Sequence, residues 1–259
     1  MSARRSQPAG SHPRTRRGRT ELANLGPVAQ LRAGRLPRRL IQLVVGLMIY
    51  GASMALVLRA TLGQIPWDVL HVGITKHLPL SFGTVVILVS LLVLLLWIPL
   101  RQRPGLGTIA NAVLIGVAAD LTLAVVPEPE HLASRAALLV GAVGVNGVAS
   151  AMYIGAQLGP GPRDGLMTGL SRTTGLSLRF VRTGMEVTVV AIGWLLGGVI
   201  GLGTVLYALA IGPLTQGMLP YLTVRLDVPE RAAATPSDAS TTPEGAADAT
   251  DARVAQPCQ

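Results

Sequence analysis

"LGQIPWDVLHVGITKHLPLS" at residues 62–81 and "LGPGPRDGLMTGLSRTTGLS" at residues 158–177 are one motif written twice. At a shift of 96 residues, Leu62, Gly63, Pro66, Asp68, Leu70, Gly73, Leu80 and Ser81 coincide with Leu158, Gly159, Pro162, Asp164, Leu166, Gly169, Leu176 and Ser177. "GLGT" at 105–108 falls on "GLGT" at 201–204 in the same register. From Gly51 opposite Gly147 to Gly116 opposite Gly212, 21 of 66 positions are identical without a gap. Two unrelated apolar segments share Leu and Ala through composition alone. They do not share Pro-x-Asp and Gly-Leu-Gly-Thr at one offset, so the chain reads as an internal duplication.

Half of the 259 residues are apolar, 14% are charged, and the mean hydropathy is +0.51. A soluble domain carries about 25% charged residues. Apolar runs recur at 40–58, 83–100, 107–126, 136–156, 181–200 and 204–222. Each approaches the ~20 residues that cross a ~30 Å hydrocarbon core, and most lack the polar stripe of a soluble helix. The expected fold is an all-α membrane protein. It has six transmembrane helices in two inverted three-helix repeats, each with a short Pro-x-Asp half-helix. The expected segments are a basic disordered cytoplasmic arm (1–39), a first membrane repeat (40–132), a second (133–225) and an acidic disordered cytoplasmic tail (226–259).

Residues 1–39 hold ten arginines against Glu21, while 227–259 hold six acids against Arg231 and Arg253. Neither tail has the apolar content for a core. The arm suits a cytoplasmic flank that fixes topology and touches anionic lipid. No aromatic residue precedes Tyr50 to stack bases, so nucleic acid is not an expected partner. Cys258 is the only cysteine, and no Cys/His metal spacing occurs. The first apolar run begins too late for a cleaved signal and reads as a retained helix.

An odd number of crossings per repeat inverts the second repeat. With the arm inside, Arg101, Arg103, Arg163, Arg172, Arg179 and Arg182 fall inside, and Glu128 and Glu130 of "PEPEH" fall outside. Arg59, Lys76 and Arg135 are exceptions to positive-inside. Full crossing by the short segments would put Arg101 and Arg103 outside and "PEPE" inside. Inverted repeats are common in secondary transporters, whose sites lie where the repeats meet. The protein is therefore expected in the bacterial inner membrane with both termini cytoplasmic.

Asp68 and Asp164 stand where the short helices should begin, two residues after a proline that breaks any upstream helix. Leu166, Gly169, Leu170 and Thr173 share one face, and Gly175 is a natural stop. Two readings of the aspartates stand: helix N-caps, or carboxylates lining a cavity together with Arg163. Asp120, Asn111, Asn146, Glu186 and Gln216 are further candidates, because polar groups at bilayer depth face partners or cavities. Asp120 has Gln216 as repeat mate, and Glu186 has Ser90, so the acids break the duplication symmetry. Asp120 suggests proton or cation coupling, whereas Glu186 can equally pair with Arg182. His71 and His77 read as surface residues near the outer face. Trp67, Trp97, Tyr50, Tyr153 and Tyr221 read as interfacial anchors. Ala142 with Asn146, and Gly193 with Gly197, read as close helix contacts.

Over "GPGPRDGLMTGLSRTTGLSLRFVRTGMEV" and "GWLLGGVIGLGTVLYALAIGPLTQ" the chain resembles the YczE branch of the YczE/YyaS/YitT bacterial membrane-protein families. The resemblance runs over roughly 40–225 and is strongest over 158–217. The first copy keeps Pro66 and Asp68 but has Trp67 where the second has Arg163. The resemblance implies an integral bacterial inner-membrane protein and supplies no substrate or reaction.

No nucleophile–base set, P-loop, metal cage or dinucleotide fingerprint is present, so neither an enzyme nor a cofactor is expected. The expected function is a small-molecule transporter or permease-like protein. The alternative is a non-transporting accessory protein assisting another membrane or biosynthetic system. The expected partners are the lipid bilayer, an unknown small molecule and further copies of the chain.

Overall fold

The computed structural model describes residues 30, 31, 33–224 and 226. Most of the basic arm and nearly all of the acidic tail lie outside the described residues. Among those described there is no strand, and the main helices are α1 (Leu36–Ala60), α2 (Pro66–Thr75), α3 (Phe82–Leu96), α4 (Leu106–Val125), α5 (Leu132–Gly155), α6 (Pro162–Thr174), α7 (Leu178–Leu195) and α8 (Leu202–Leu222). By length and composition, α1, α4, α5 and α8 can cross a membrane. The other two expected spans differ. α3 is apolar but 15 residues long, and the 18-residue α7 carries Arg179, Arg182 and Glu186.

The shift seen in the sequence recurs in the backbone. Leu36, Pro66, Phe82 and Leu106 open α1 to α4, and Leu132, Pro162, Leu178 and Leu202, each 96 residues further on, open α5 to α8. Left-handed residues recur at the same spacing: Thr61 with Gln157, Gly63 with Gly159, and Arg101 with Gly197. Gly63 and Gly159 have φ of 126° and 122°, where a side chain is strained. A β-carbon at Gly63 would also come within 2.9 Å of the Gly201 backbone.

Local chemistry explains the repeated starts. Ser81 Oγ accepts from the Thr84 amide, and Ser177 Oγ accepts from that of Phe180, capping α3 and α7. Thr108 and Thr204 hydroxyls accept from the amides of Gly105 and Gly201 at 3.1 and 3.2 Å, closing the first turns of α4 and α8. α2 and α6 start on proline itself. Its missing amide is one that a first turn leaves unpaired anyway. The expected aspartate caps are therefore corrected: Ile65 and Gly161 hold the cap positions without a side-chain bond, and Asp68 and Asp164 lie inside the first turn. α6 stops at Gly175, φ 71°, as its sequence indicates. With 10 and 13 residues, α2 and α6 reach only ~15–20 Å.

α1 and α5 cross at the centre of the core. α4 packs on α1, and α8 packs on α5. Small residues permit this closeness. A β-carbon at Gly51 would collide with the Ile115 carbonyl of α4, and one at Gly155 with that of Leu222. The short helices cross over: α2 packs on α7, and α6 packs on α3. One pairing is not matched. α3 lies along α4, but α7 stands away from α8.

The helix ends are tied by side chains. Arg39, expected in a solvated arm, is fully buried in α1. Its Nε and Nη2 donate to the Ala156 and Gln157 carbonyls after α5, at 2.8 and 2.7 Å. Gln42 Nε2 donates to Met152 of α5 and Leu222 of α8, at 2.9 and 2.7 Å. At the other end of α1, Arg59 donates to the Leu123 carbonyl of α4 and lies 3.4 Å from Glu128.

Candidate functional site

Two cavities adjoin at the starts of α2 and α6. The larger, about 200 Å³, lies in the gap between α7 and α8 and reaches the end of α5 and the start of α6. The smaller, about 40 Å³, lies among α1, α2, α3 and α4. Tyr50, Ile65, Trp67 and Arg163 line both and form the wall between them.

Arg163 organises this wall. Its Nη2 donates to the Tyr50 hydroxyl at 2.6 Å, and its Cζ lies 5.6 Å from the Trp67 ring centroid. A guanidinium over an indole face gains cation–π attraction, more so when water is excluded. The Tyr50 and Tyr153 rings meet edge to face at 5.9 Å. Tyr153 donates to Asp164 Oδ2 at 3.0 Å. Behind the wall, Tyr207 donates to Asn146 Oδ1 at 2.9 Å, and Asn146 Nδ2 donates to Ser53 Oγ at 2.7 Å. Ser53 in turn donates to the Tyr50 carbonyl at 2.7 Å. These bonds satisfy the buried polar atoms and fix the tyrosines that face the cavities.

The two linings correspond through the shift of 96 residues. Asp164, Met167, Glu186, Tyr207 and Ser150 in the larger cavity stand where Asp68, His71, Ser90, Asn111 and Met54 stand in the smaller. Trp67 and Arg163 are also such a pair. The larger cavity carries more charge: Arg163, Asp164, and the 3.1 Å pair of Arg182 with Glu186. The smaller holds Asp68 and His71, whose Oδ1 and Nδ1 are 3.0 Å apart.

Of the residues named from sequence, Arg163, Asp164, Glu186 and Gln216 line the larger cavity, and Asp68, Asn111 and Arg163 the smaller. Asn146 supports the wall without lining either cavity. Asp120 lies elsewhere. It accepts from the Gly83 amide at 2.6 Å and from Ser81 Oγ at 2.5 Å, at the start of α3. Several sequence readings are corrected. Tyr50, Tyr153, Trp67 and Trp97 are buried; only Tyr221 of the expected anchors is largely exposed. Trp97 is held by its Nε1, which donates to the Pro162 carbonyl at 3.0 Å. His71 is buried, whereas His77 is exposed. One signal could have found the tyrosines. The mates of Tyr50 and Tyr207 are Asn146 and Asn111, so both members of each pair are polar within apolar runs.

Residues 37–220 match the model of a family described as "Family of unknown function (DUF6198)". The chain belongs to this family. It is 39% identical over 177 residues to an uncharacterized protein of Haemophilus influenzae, covering 68% of this chain and 81% of that one. It is 33% identical to the uncharacterized membrane protein YczE of Bacillus subtilis, over 67% of this chain and 81% of the relative. It is 28% identical to the uncharacterized protein YyaS of the same organism, over 69% and 90%. No solved structure matches the chain significantly.

Proposed function

We propose that this protein is a multi-pass bacterial inner-membrane transporter. In this reading it moves a small polar solute by alternating access between its two cavities. One observation carries the reading: the cavities are lined by corresponding residues of the two halves and share a wall of Arg163, Trp67, Tyr50 and Ile65. In a two-fold-related pair of repeats, opening one such cavity entails closing the other.

The hydrogen bonds support an inverted arrangement. The Gly203 amide donates to the Leu62 carbonyl at 2.8 Å, and the Gly107 amide donates to that of Leu158, also at 2.8 Å. Each bond is the other with the halves exchanged, as a two-fold axis requires. Direction agrees. The Arg39 end of α1 meets the end of α5, and Gln42 meets the end of α8. The end of α4, the repeat mate of α8, is instead held by Arg59 at the opposite end of α1. Mates therefore point in opposite directions. With α3 and α7 completing the spans, this is the three-plus-three topology. The arginine-rich end of α1 then lies in the cytoplasm together with the C-terminus. Arg59, an exception to positive-inside, lies at the opposite, outer end and is paired with Glu128 at 3.4 Å. The larger cavity is lined by Tyr153 and Ile154 near the end of α5 and by Thr215 and Gln216 of α8, towards the Arg39 end, so in this reading it faces the cytoplasm.

Single cysteines at Ser150 and Ser90, in a Cys258→Ser background, test the reading. A membrane-impermeant maleimide should label Ser150→Cys from the cytoplasmic face and Ser90→Cys from the outer face, in competition. Labelling of both from one face overturns the proposal. Proteoliposome flux of a metabolite panel, with and without a pH gradient, separates transport from the accessory role.

A further inference from the structure

The smaller cavity holds an acid that the wall does not explain. Asp68 is 2% exposed, and one of its oxygens meets His71 Nδ1 at 3.0 Å. Its other oxygen, Oδ2, is buried and has no hydrogen-bond partner among the described residues. Leaving a buried carboxylate oxygen unpaired is costly unless water or a proton meets it. The cavity beside it has the polar lining and the space a water needs. In the second half the equivalent of His71 is Met167, and Asp164 takes its bond from Tyr153 instead. The imidazole is therefore particular to the smaller cavity.

We propose that Asp68 and His71 form one proton-binding site, and that loading it favours opening of the smaller cavity. This rests on the transport reading above. The step is a proton transfer alone. A hydronium ion reaching the cavity gives up one proton and is left as water, an O–H or N–H bond forms on the pair, and the pair's charge changes from minus one to zero. Unloading reverses it, with no redox partner. The 3.0 Å contact lets one proton serve both groups. Arg163 of α6 and Tyr50 of α1 face the same cavity. α4 contributes Asn111 and α3 Ser90, neither of which titrates. The charges on α7, Arg182 and Glu186, pair with each other in the larger cavity, which Tyr207 of α8 also faces. While the pair is negative it attracts Arg163 and holds the wall toward the smaller cavity. Protonation removes that attraction.

A metal ion fits less well. Hard cations take six or more oxygens, whereas the pair offers one free oxygen and a ring nitrogen. No three-residue metal cluster occurs among the described residues. A surface groove lies beyond His71 on the far side of Phe82. Phe82 touches the His71 ring edge-on, with centroids 6.0 Å apart, and lines the surface groove that also contains Arg59 and Glu128.

Full-length protein carrying His12→Gln, His77→Gln and His131→Gln leaves His71 as the only histidine. Imidazole ¹⁵N NMR in nanodiscs reads the protonation of that ring as pH is varied, and Asp68→Asn should change the profile. Because maleimides attack the thiolate, labelling of Ser90→Cys is normalised at each pH to that of the denatured protein; so normalised, it should rise at least fivefold on acidification, and Asp68→Asn or His71→Gln should abolish that dependence. A His71 titration indifferent to Asp68→Asn overturns the proton site. Normalised labelling that stays pH-dependent in both variants overturns the coupling. A normal titration with no exchange of labelling between the cavities overturns the transport reading and leaves the proton site standing.

Discussion

Arg163 stacks on Trp67, 5.6 Å from the ring centroid, and each occupies the position in its half that the other occupies in its own. A residue and its repeat mate can touch only near the axis relating the halves. In the proposed two-fold arrangement the wall between the cavities sits on that axis, and its asymmetry is the chemical difference between a guanidinium and an indole.

Exchanging the two tests what that asymmetry does. Trp67→Arg with Arg163→Trp keeps the volumes and the cation–π contact but moves the charge across the axis. The double variant should fold and shift maleimide labelling from Ser150→Cys towards Ser90→Cys. Arg163→Gln alone should lose the stacking, worth up to about 2 kcal/mol, together with the bond to Tyr50. Its thermal midpoint in detergent should fall.

Arg39 should be among the most sensitive positions for stability. Its guanidinium serves two carbonyls beyond the end of α5 from a fully buried position. Hydrogen bonds to charged groups contribute about 1.5–3 kcal/mol each, so Arg39→Ala should cost about 3 kcal/mol or more. Arg39→Lys should rescue only part, because one ammonium cannot reproduce the fork. Thermal unfolding of purified variants measures both.

Much of the fold was legible because the repeat is carried by backbone requirements. Proline at a first helical turn, glycine at positive φ and serine caps depend on nearby residues, so their recurrence at a spacing of 96 residues is readable in the sequence. Side-chain roles were less legible. Tyr50 and Tyr153 have the signature of interfacial anchors, and only the crossing of α1 and α5 turns them inward. Asp68 and Asp164 looked like caps because sequence does not say whether proline or aspartate takes the first position. His71 seemed exposed beside Lys76 and His77, yet one helical turn earlier it faces α3.

Asp120 should prove structural. Its carboxylate accepts from the Gly83 amide at 2.6 Å and so caps the start of α3 from a neighbouring helix. Asp120→Ala should cost about 1 kcal/mol, as loss of a helix cap does. It should leave the labelling balance between Ser150→Cys and Ser90→Cys unchanged. A shift in that balance at unchanged stability would return Asp120 to the list of coupling groups.

Asp164 should behave in the opposite way. Asp164→Asn still accepts the Tyr153 hydrogen bond, so its thermal midpoint should stay within a few degrees of the parent. The charge beside Arg163 is gone, so flux or the labelling balance should change. Asp164→Ala should lose stability as well, and more of it than deletion of residues 230–259, which have few apolar residues to bury.

The contact between Gly165 and Trp97 offers a test of the repeat through packing alone. A β-carbon at Gly165 would collide with the Trp97 ring. The mates of these residues are Val69 and Gly193, which touch in the same way with large and small exchanged: a β-carbon at Gly193 would strike the Val69 and Leu70 backbone. Gly165→Val alone should be destabilised by about 1–3 kcal/mol through overpacking. Trp97→Gly alone should lose about 3–5 kcal/mol, the range for emptying a large aromatic site. The double variant recreates the Val69–Gly193 pair at the equivalent place. If the halves are truly related by exchange, it should be more stable than the sum of the single losses predicts. The coupling should exceed about 1 kcal/mol, outside what non-interacting sites show. It should not reach the parent, because Trp97 also donates to the Pro162 carbonyl at 3.0 Å, and glycine restores no donor. Strict additivity in detergent-solubilised protein would mean that the two contacts resemble each other only by chance.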